Sequence, residues 1–204
     1  MKMLPYRRAA LAAAALLAVC LAAAPALHAQ TEWKIDPMHS SVGFDVTHFG
    51  VTTIHGNFTK TEGTVVWNDA DITKSTVQAT IDVNSLDTGV TARDNHTKSD
   101  AFFDAAKFPS MTFTSTSVQK SGDGLKVDGN LTVKGVTKPV TLNVTNISQP
   151  VPHPMHKGAM VRGLTATTLI SRKNFGLAWS GAAAAVDPAI GDEVKITIQL
   201  ELDK

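Results

Sequence analysis

The chain has 204 residues, 43% of them hydrophobic, with 19 Lys and Arg against 18 Asp and Glu and a single cysteine. A charge balance this even excludes the strongly basic face that nucleic-acid binding needs, and one cysteine excludes an internal disulfide. The length suits one domain built around one core.

The first 29 residues read as a secretory leader. Lys2, Arg7 and Arg8 precede an apolar run from Ala9 to about Ala24, and Pro25 with small residues follows. Cleavage is expected after Ala29, with Ala26 as the alternative. Lipid attachment at Cys20 is disfavoured by the Leu17-Ala18-Val19 before it. The expected mature domain spans residues 30–204, contains no cysteine, and is destined for the periplasm or the exterior. Removing Lys2, Arg7 and Arg8 leaves 16 basic residues against 18 acidic ones, a formal charge of −2.

After Trp33 and Ile35 comes DPMHSSVGFDVTHFG, residues 36–50. In steps of two it places Val42, Phe44, Val46 and His48 on one face of a strand. His39 and His48 stand at its two ends, near the two rims of whatever the apolar face encloses. A second extended piece, Ile54 to Lys60, centres on Phe58, and Gly63, Val65 and Trp67 alternate before the turn Asn68-Asp69-Ala70-Asp71. Val77, Ala79, Ile81 and Val83 then face one way and Thr76, Gln78, Thr80 and Asp82 the other.

Between Thr88 and Pro109 alternation stops, and capping residues predict short helices over Thr91 to Lys98 and Asp100 to Asp104. Strands resume with Met111, Phe113 and Ser115, then Leu125 to Val133, then Val140, Leu142 and Val144, with Pro139 limiting the start of the last. Pro150, Pro152 and Pro154 predict an irregular loop. Met160 to Ile170 is extended, SRKNFGLAW (171–179) is a linker, and Val194, Ile196, Ile198 and Leu200 form the closing strand.

Eight or so antiparallel strands with one helical excursion predict an all-β sandwich or barrel. Small residues at inward positions, Ala79, Gly129, Ser115 and Gly63, favour a hollow barrel. Polar residues interrupt the pattern at His39 and His48, at Arg93-Asp94 with His96, and at Arg172 with Asn174. Arg93, Asp94 and Arg172 are read as ringing a tunnel mouth, where a guanidinium grips a carbonyl, carboxylate or phosphate. His153 and His156 flank Met155 and invite a soft-ion reading that lacks further ligands, so no metal is expected.

These segments resemble the YceI-like family of secreted lipid-binding proteins. The resemblance rests on DPMHSSVGFDVTHFG, on Thr88 to Asp94 (T-x4-RD), on Phe102 to Phe113 (FFD-x3-FP-x-M-x-F), on Gly129 to Val140 (G-x-LT-x-KGVTKPV) and on SRKNFGLAW. It implies an antiparallel, lipocalin-like barrel that encloses a polyisoprenoid chain, such as the tail of a quinone or prenyl phosphate. The expected ligand-binding residues are His39, Phe44, Val46, His48, Ala79, Ile81, Arg93, Asp94, Met111, Phe113, Arg172, Phe175 and Trp179. No catalytic residue and no cofactor beyond the bound lipid is expected. The expected partners are the lipid itself, transient contact with a membrane or membrane cytochrome, and a second copy. The role is transport, storage or stress protection. The alternative is a secreted hydrolase or isomerase with His39 or His48 as general base, although the chain has no GxSxG or HExxH.

Overall fold

A computed structural model describes residues 30–179 and 181–204, with the side chains of 181–184 left aside. The leader therefore lies outside the described residues. In chain order the elements are β1 (Thr31–Ile35), β2 (Ser41–His48), β3 (Thr52–Phe58), β4 (Thr61–Trp67), β5 (Thr76–Asp82), β6 (Leu86–Asp87), α1 (Thr91–Lys98), β7 (Ser110–Ser121), β8 (Gly124–Val133), β9 (Val136–Thr145), β10 (Val151–Pro152), β11 (Met160–Ser171) and β12 (Ile190–Asp203).

The twelve strands make eight staves. β2 pairs with β3 (Val42↔Phe58) while β1 pairs with β4 (Trp33↔Val65), so β1–β2 and β3–β4 are two long strands broken by corners. β5 and β6 behave alike, since Thr61 faces Ile81 on β5 and Phe58 faces Leu86 on β6. From there each stave pairs with the next: β5 with β7, β7 with β8, β8 with β9, and β9 with β11. β12 completes the ring. One edge pairs with β11 from Val161↔Asp203 to Ser171↔Glu193, and the other pairs with β1 at Lys34↔Asp203 and with β2 from Gln199↔Ser41 to Ile190↔His48. The result is a closed, antiparallel, up-and-down barrel of eight staves, the hollow barrel favoured by the sequence over a sandwich, in which every stave meets a neighbour on both sides.

Period-two burial follows from closure, because one face of every stave looks inward. One end is shut by apolar packing. Trp33, Trp67 and Leu202 are buried there, and the Arg162 guanidinium, 5% exposed, lies 3.7 Å from the Trp67 ring centroid and 5.2 Å from that of Trp33. Burial pushes the Arg162 pKa down. The other end carries α1, the turns around Phe102 and Phe103, and the β2–β3 hairpin.

Several local expectations change. Thr91–Lys98 is the helix read from the sequence, but Asp100 to Asp104 forms turns whose Phe102, Phe103 and Asp104 amides return to the Ser99 and Thr97 carbonyls rather than continuing a helix. Pro139 does not limit β9, which begins at Val136 and carries Pro139 opposite Asn130. β9 meets β11 only from Thr145↔Thr165 to Asn143↔Thr167, so at Pro139 its other edge has no strand partner, a position where proline is tolerated. The proline-rich loop contains one regular piece, β10, paired to β11 through Val151↔Val161 and Pro152↔Met160.

Ala79 lines the cavity as expected, but Gly129 and Ser115 do different work. A Cβ on Gly129 would lie 2.3 Å from the Phe113 ring, and one on Gly56 would lie 2.3 Å from the Phe44 ring. Each glycine is the seat of a neighbouring strand's phenylalanine. Ser115 Oγ accepts the Val77 backbone N–H at 2.8 Å, at a bulge between Ser115 and Ser117. Replacing Gly129 by Val forces Phe113 off its seat and also meets the Thr114 carbonyl, 2.7 Å from the added Cβ. Thermal or urea unfolding is expected to show a loss of about 1–3 kcal/mol for G129V.

Candidate functional site

The inward faces do not meet at the axis. They enclose a cavity of ≈ 260 Å³. Its wall is apolar on every side, with Val42, Phe44 and Val46 from β2, Val77, Ala79 and Ile81 from β5, and Met111 and Phe113 from β7. β11 adds Leu164, Ala166 and Ile170, and β12 adds Ile190, Val194, Ile196, Ile198 and Leu200. Many of these, including Phe44, Val46, Ala79, Ile196 and Ile198, are only half-buried although they point inward. In a filled core they would be buried; here they look into space. β12 lines the cavity from Ile190 to Leu200, a strand length equivalent to roughly 25 Å along a tilted barrel axis.

Of the residues expected at a binding site, Phe44, Val46, Ala79, Ile81, Met111, Phe113, Arg93, Arg172 and Trp179 line this cavity. Four do not. His39 stands on the outside at the Asp36–Ser40 corner, exposed, with Nδ1 bonded to Asp36 and 3.7 Å from Glu201. Donating this hydrogen bond to the Asp36 carboxylate raises the His39 pKa. His48 ends β2 with its ring edge-on to Phe49 at 4.3 Å, away from the cavity. Asp94 is buried and points at Thr88, accepting from its backbone N–H at 2.9 Å and its hydroxyl at 2.5 Å. Phe175 is buried in the packing beside the cavity, next to β9, and does not reach the lumen.

Arg172 reverses its expected role. Its side chain is 2% exposed, and all five N–H donors are engaged inside the protein. Nε reaches the Gly191 carbonyl (2.9 Å), Nη1 reaches Leu177 O (2.5 Å) and Asp187 Oδ1 (2.7 Å), and Nη2 reaches Asp187 O (3.1 Å) and Ile190 O (2.9 Å). The fork ties the 172–177 turn to the start of β12 and has no donor left for a ligand. Asp187, which receives it, sits in an Ala- and Pro-rich stretch with no motif to mark it, so sequence reasoning passed over it.

Arg93 remains as the cationic group at the cavity. Its Nε and Nη2 hold the Thr88 hydroxyl and carbonyl at 2.7 and 2.8 Å. Beside it, His96 stacks on Trp179 (4.2 Å, 24°) and Trp179 leans on Phe102 (4.4 Å, 39°), so aromatic rings form the ceiling of this end. The His96–Trp179 contact was not legible in advance, because 83 residues separate the pair.

Asp36, His39 and Glu201 bring one potential ligand atom each within 4.8 Å of one another on the outside of the barrel, a kind of acidic surface cluster that is common without an ion, and the serine beside His39 is not arranged as its nucleophile. Ser40 Oγ donates to Glu201 O (3.2 Å) and accepts from Glu201 N–H (3.1 Å), so it is engaged by backbone rather than by His39. In the other histidine pair, His153 Nδ1 accepts the Met155 and His156 amides, both at 3.1 Å. A neutral His153 so held carries its proton on Nε2 and offers no lone pair to an ion.

The arrangement matches known proteins. The family model described as the YceI-like domain matches residues 33–202. Protein YceI of Salmonella arizonae is 44% identical over 120 residues, which is 58% of this chain and 63% of that protein, and Protein YceI of Salmonella enteritidis matches to the same extent. The alignment thus spans less than two thirds of these relatives' length. Among solved structures, Burkholderia cenocepacia BcnA superposes with a TM-score of 0.70 at 26% identity, covering 82% of this chain and 98% of that one. The Campylobacter jejuni YceI protein gives 0.64 at 27% identity, covering 78% and 89%. A polyisoprenoid binding domain from Saccharophagus degradans gives 0.59 at 19% identity, covering 83% and 97%, a likeness of fold.

The Arg172–Asp187 pair has a pH signature. The hydrogen bond from Arg172 holds the Asp187 carboxyl down to about 2 from 3.8. A depressed carboxylate stabilises the fold above its unfolded pKa, and that stabilisation is lost as pH falls through the folded value. Melting temperatures of the wild type should therefore fall between about pH 4 and pH 2. D187N should lack this part of the acid limb, and R172A should lose about 1–3 kcal/mol at neutral pH because it leaves the Leu177, Ile190 and Gly191 carbonyls without their donor, while Lys173 still pairs with Asp187.

Proposed function

Because this chain belongs to the YceI-like family, we propose that it is a periplasmic binding protein that holds a long isoprenoid lipid, quinone or prenyl-type, in the barrel cavity. The observation that carries this reading is the composition of the wall: from Leu200 to Ile190 the lumen meets aliphatic and aromatic side chains almost without interruption. The polar side chains among the lining, such as Thr88, Arg93, Thr97 and Thr168, are too few to satisfy a sugar, peptide or nucleotide. The polyisoprenoid binding domain that shares the fold supports the choice of lipid class.

Each methylene moved from water into such a wall gains about 0.8 kcal/mol. The competitor for an isoprenoid is a bilayer, however, whose interior is equally apolar. Net selectivity then rests on bore length and on the polar end of the ligand. At that end Arg93, already fixed by Thr88 through two of its nitrogens, offers Nη1 toward a carbonyl or phosphate oxygen, and Trp179 offers a flat face to a ring. Loading and release require contact with a membrane or a membrane-bound partner such as a cytochrome, and the same chemistry serves transport, storage or protection under stress.

Mass spectrometry of an organic extract of the purified protein tests the reading. A stoichiometric isoprenoid is expected, and repeated extracts without an apolar compound, from a host that makes quinones, would overturn it. Ala79→Phe, which places a ring in the lumen, is expected to lower that stoichiometry at least tenfold or to shorten the bound chain, while circular dichroism still reports a folded barrel. R93Q is expected to keep the tail and weaken retention of the headgroup class.

A further inference from the structure

We infer that the tip of the β2–β3 hairpin is a bilayer-docking element, in which Phe49 and Val51 enter the interfacial layer of a lipid surface and bring the cavity's α1 end against it. The inference rests on the lipid-carrier reading of the cavity and adds the surface through which cargo passes.

Phe49 is 67% exposed and Val51 83% exposed, at the turn beyond the last pairs of the hairpin, Thr47↔Thr53 and His48↔Thr52. The turn is fixed rather than slack. Phe49 (φ 52°) and Gly50 (φ 70°) are both left-handed, a region that phenylalanine adopts only under constraint. The constraint is visible: Phe49 N–H donates to Ala189 O at 2.6 Å, and Val51 N–H donates to His48 O at 3.1 Å. A strained backbone here presents an aromatic ring to solvent, the reverse of what folding alone favours. Val186, half exposed, lies three residues before the Ala189 carbonyl that anchors the turn.

Charge along the hairpin is graded by depth. From Val46 to Ile54 there is no Asp, Glu, Lys or Arg. His48 beside Phe49 is ionisable, and the first carboxylate is Asp45, paired with His55 at 2.6 Å three registers below the last pair of the hairpin. Phe49 and Val51 at the tip with the aromatic His48 beside them, threonines along the flank and the Asp45–His55 pair deeper down follow the polarity profile of a membrane interface. Immediately beneath the tip, Val46, Ile54 and Ile190 line the cavity. A tail leaving a bilayer at this point meets protein hydrocarbon without crossing water.

A second protein copy is the weaker occupant. Two side chains offer about 300 Å² at most, well short of the roughly 1,200 Å² of a stable specific interface. A bilayer needs only a few inserted apolar groups.

Flotation with phosphatidylcholine vesicles tests the inference, comparing the wild type with F49N/V51T carrying the same N-terminus. Asparagine tolerates the left-handed backbone and threonine is close to valine in shape, so the melting temperature is expected to hold. The double variant should show at least a tenfold lower vesicle partition, with its extractable lipid per chain unchanged. Equal partition of the two proteins, or no partition of the wild type, overturns the docking surface. So does a wild type that sediments as a dimer while the variant is monomeric, with vesicles ignored by both. A tenfold difference in partition with no lipid in either extract keeps the docking surface and overturns the carrier reading instead.

Discussion

The hydrogen-bonded closure of the sheet through β12 is the constraint on which the other features depend. A hollow interior gives up the dispersion contacts that a packed core would supply, so the wall must hold its shape without filling from within. A closed ladder does this, because pulling any stave inward breaks pairs on both of its sides. β12 is the stave that makes closure possible. At fourteen residues it is long enough to meet β11 along one edge while sharing the other between β1 and β2. Arg172 secures its first residues by holding Ile190 and Gly191 carbonyls, so the clamp and the closing strand are parts of one device.

The ends of the barrel divide the remaining tasks. At the shut end, bulk is used to exclude: two tryptophans and a guanidinium fill the cross-section where Leu202 is wholly buried. At the other end, rings from α1, the Phe102–Phe103 turn and Trp179 form a ceiling made of separate chain segments. Such a ceiling rests on stacking rather than on strand ladders, and it is the part of the molecule where side-chain rearrangement disturbs the fewest backbone hydrogen bonds.

Much of the wall was legible in the sequence because strand periodicity is a local property. Val42, Phe44 and Val46, or Val77, Ala79 and Ile81, alternate within a few residues, and closure turns that alternation into inside and outside. The helix at Thr91–Lys98 was legible for the same local reason. What was not legible depended on distant partners. Arg172 reads as a headgroup ligand until the five acceptors around it are seen, and four of those come from residues 187–191. His39 and His48 sit on or beside an alternating strand, yet the corner at Asp36–Ser40 and the hairpin turn take them off the lumen. Phe44 over Gly56 and Phe113 over Gly129 invert a simple rule: the glycines do not open space but receive rings.

The short pairing between β9 and β11 has a mechanical meaning. Along this edge of β11 the rungs run only from Asn143 to Thr145 on β9 and at Val151 and Pro152 on β10, and above them the Lys173–Phe175 turn, with Phe175, fills in beside β9. A hoop with one weak weld does not expand evenly. The wedge that stands in for rungs along this line is itself held to the start of β12 by the Arg172 fork, so girth at the seam is set by one guanidinium where the rest of the circumference is set by registers.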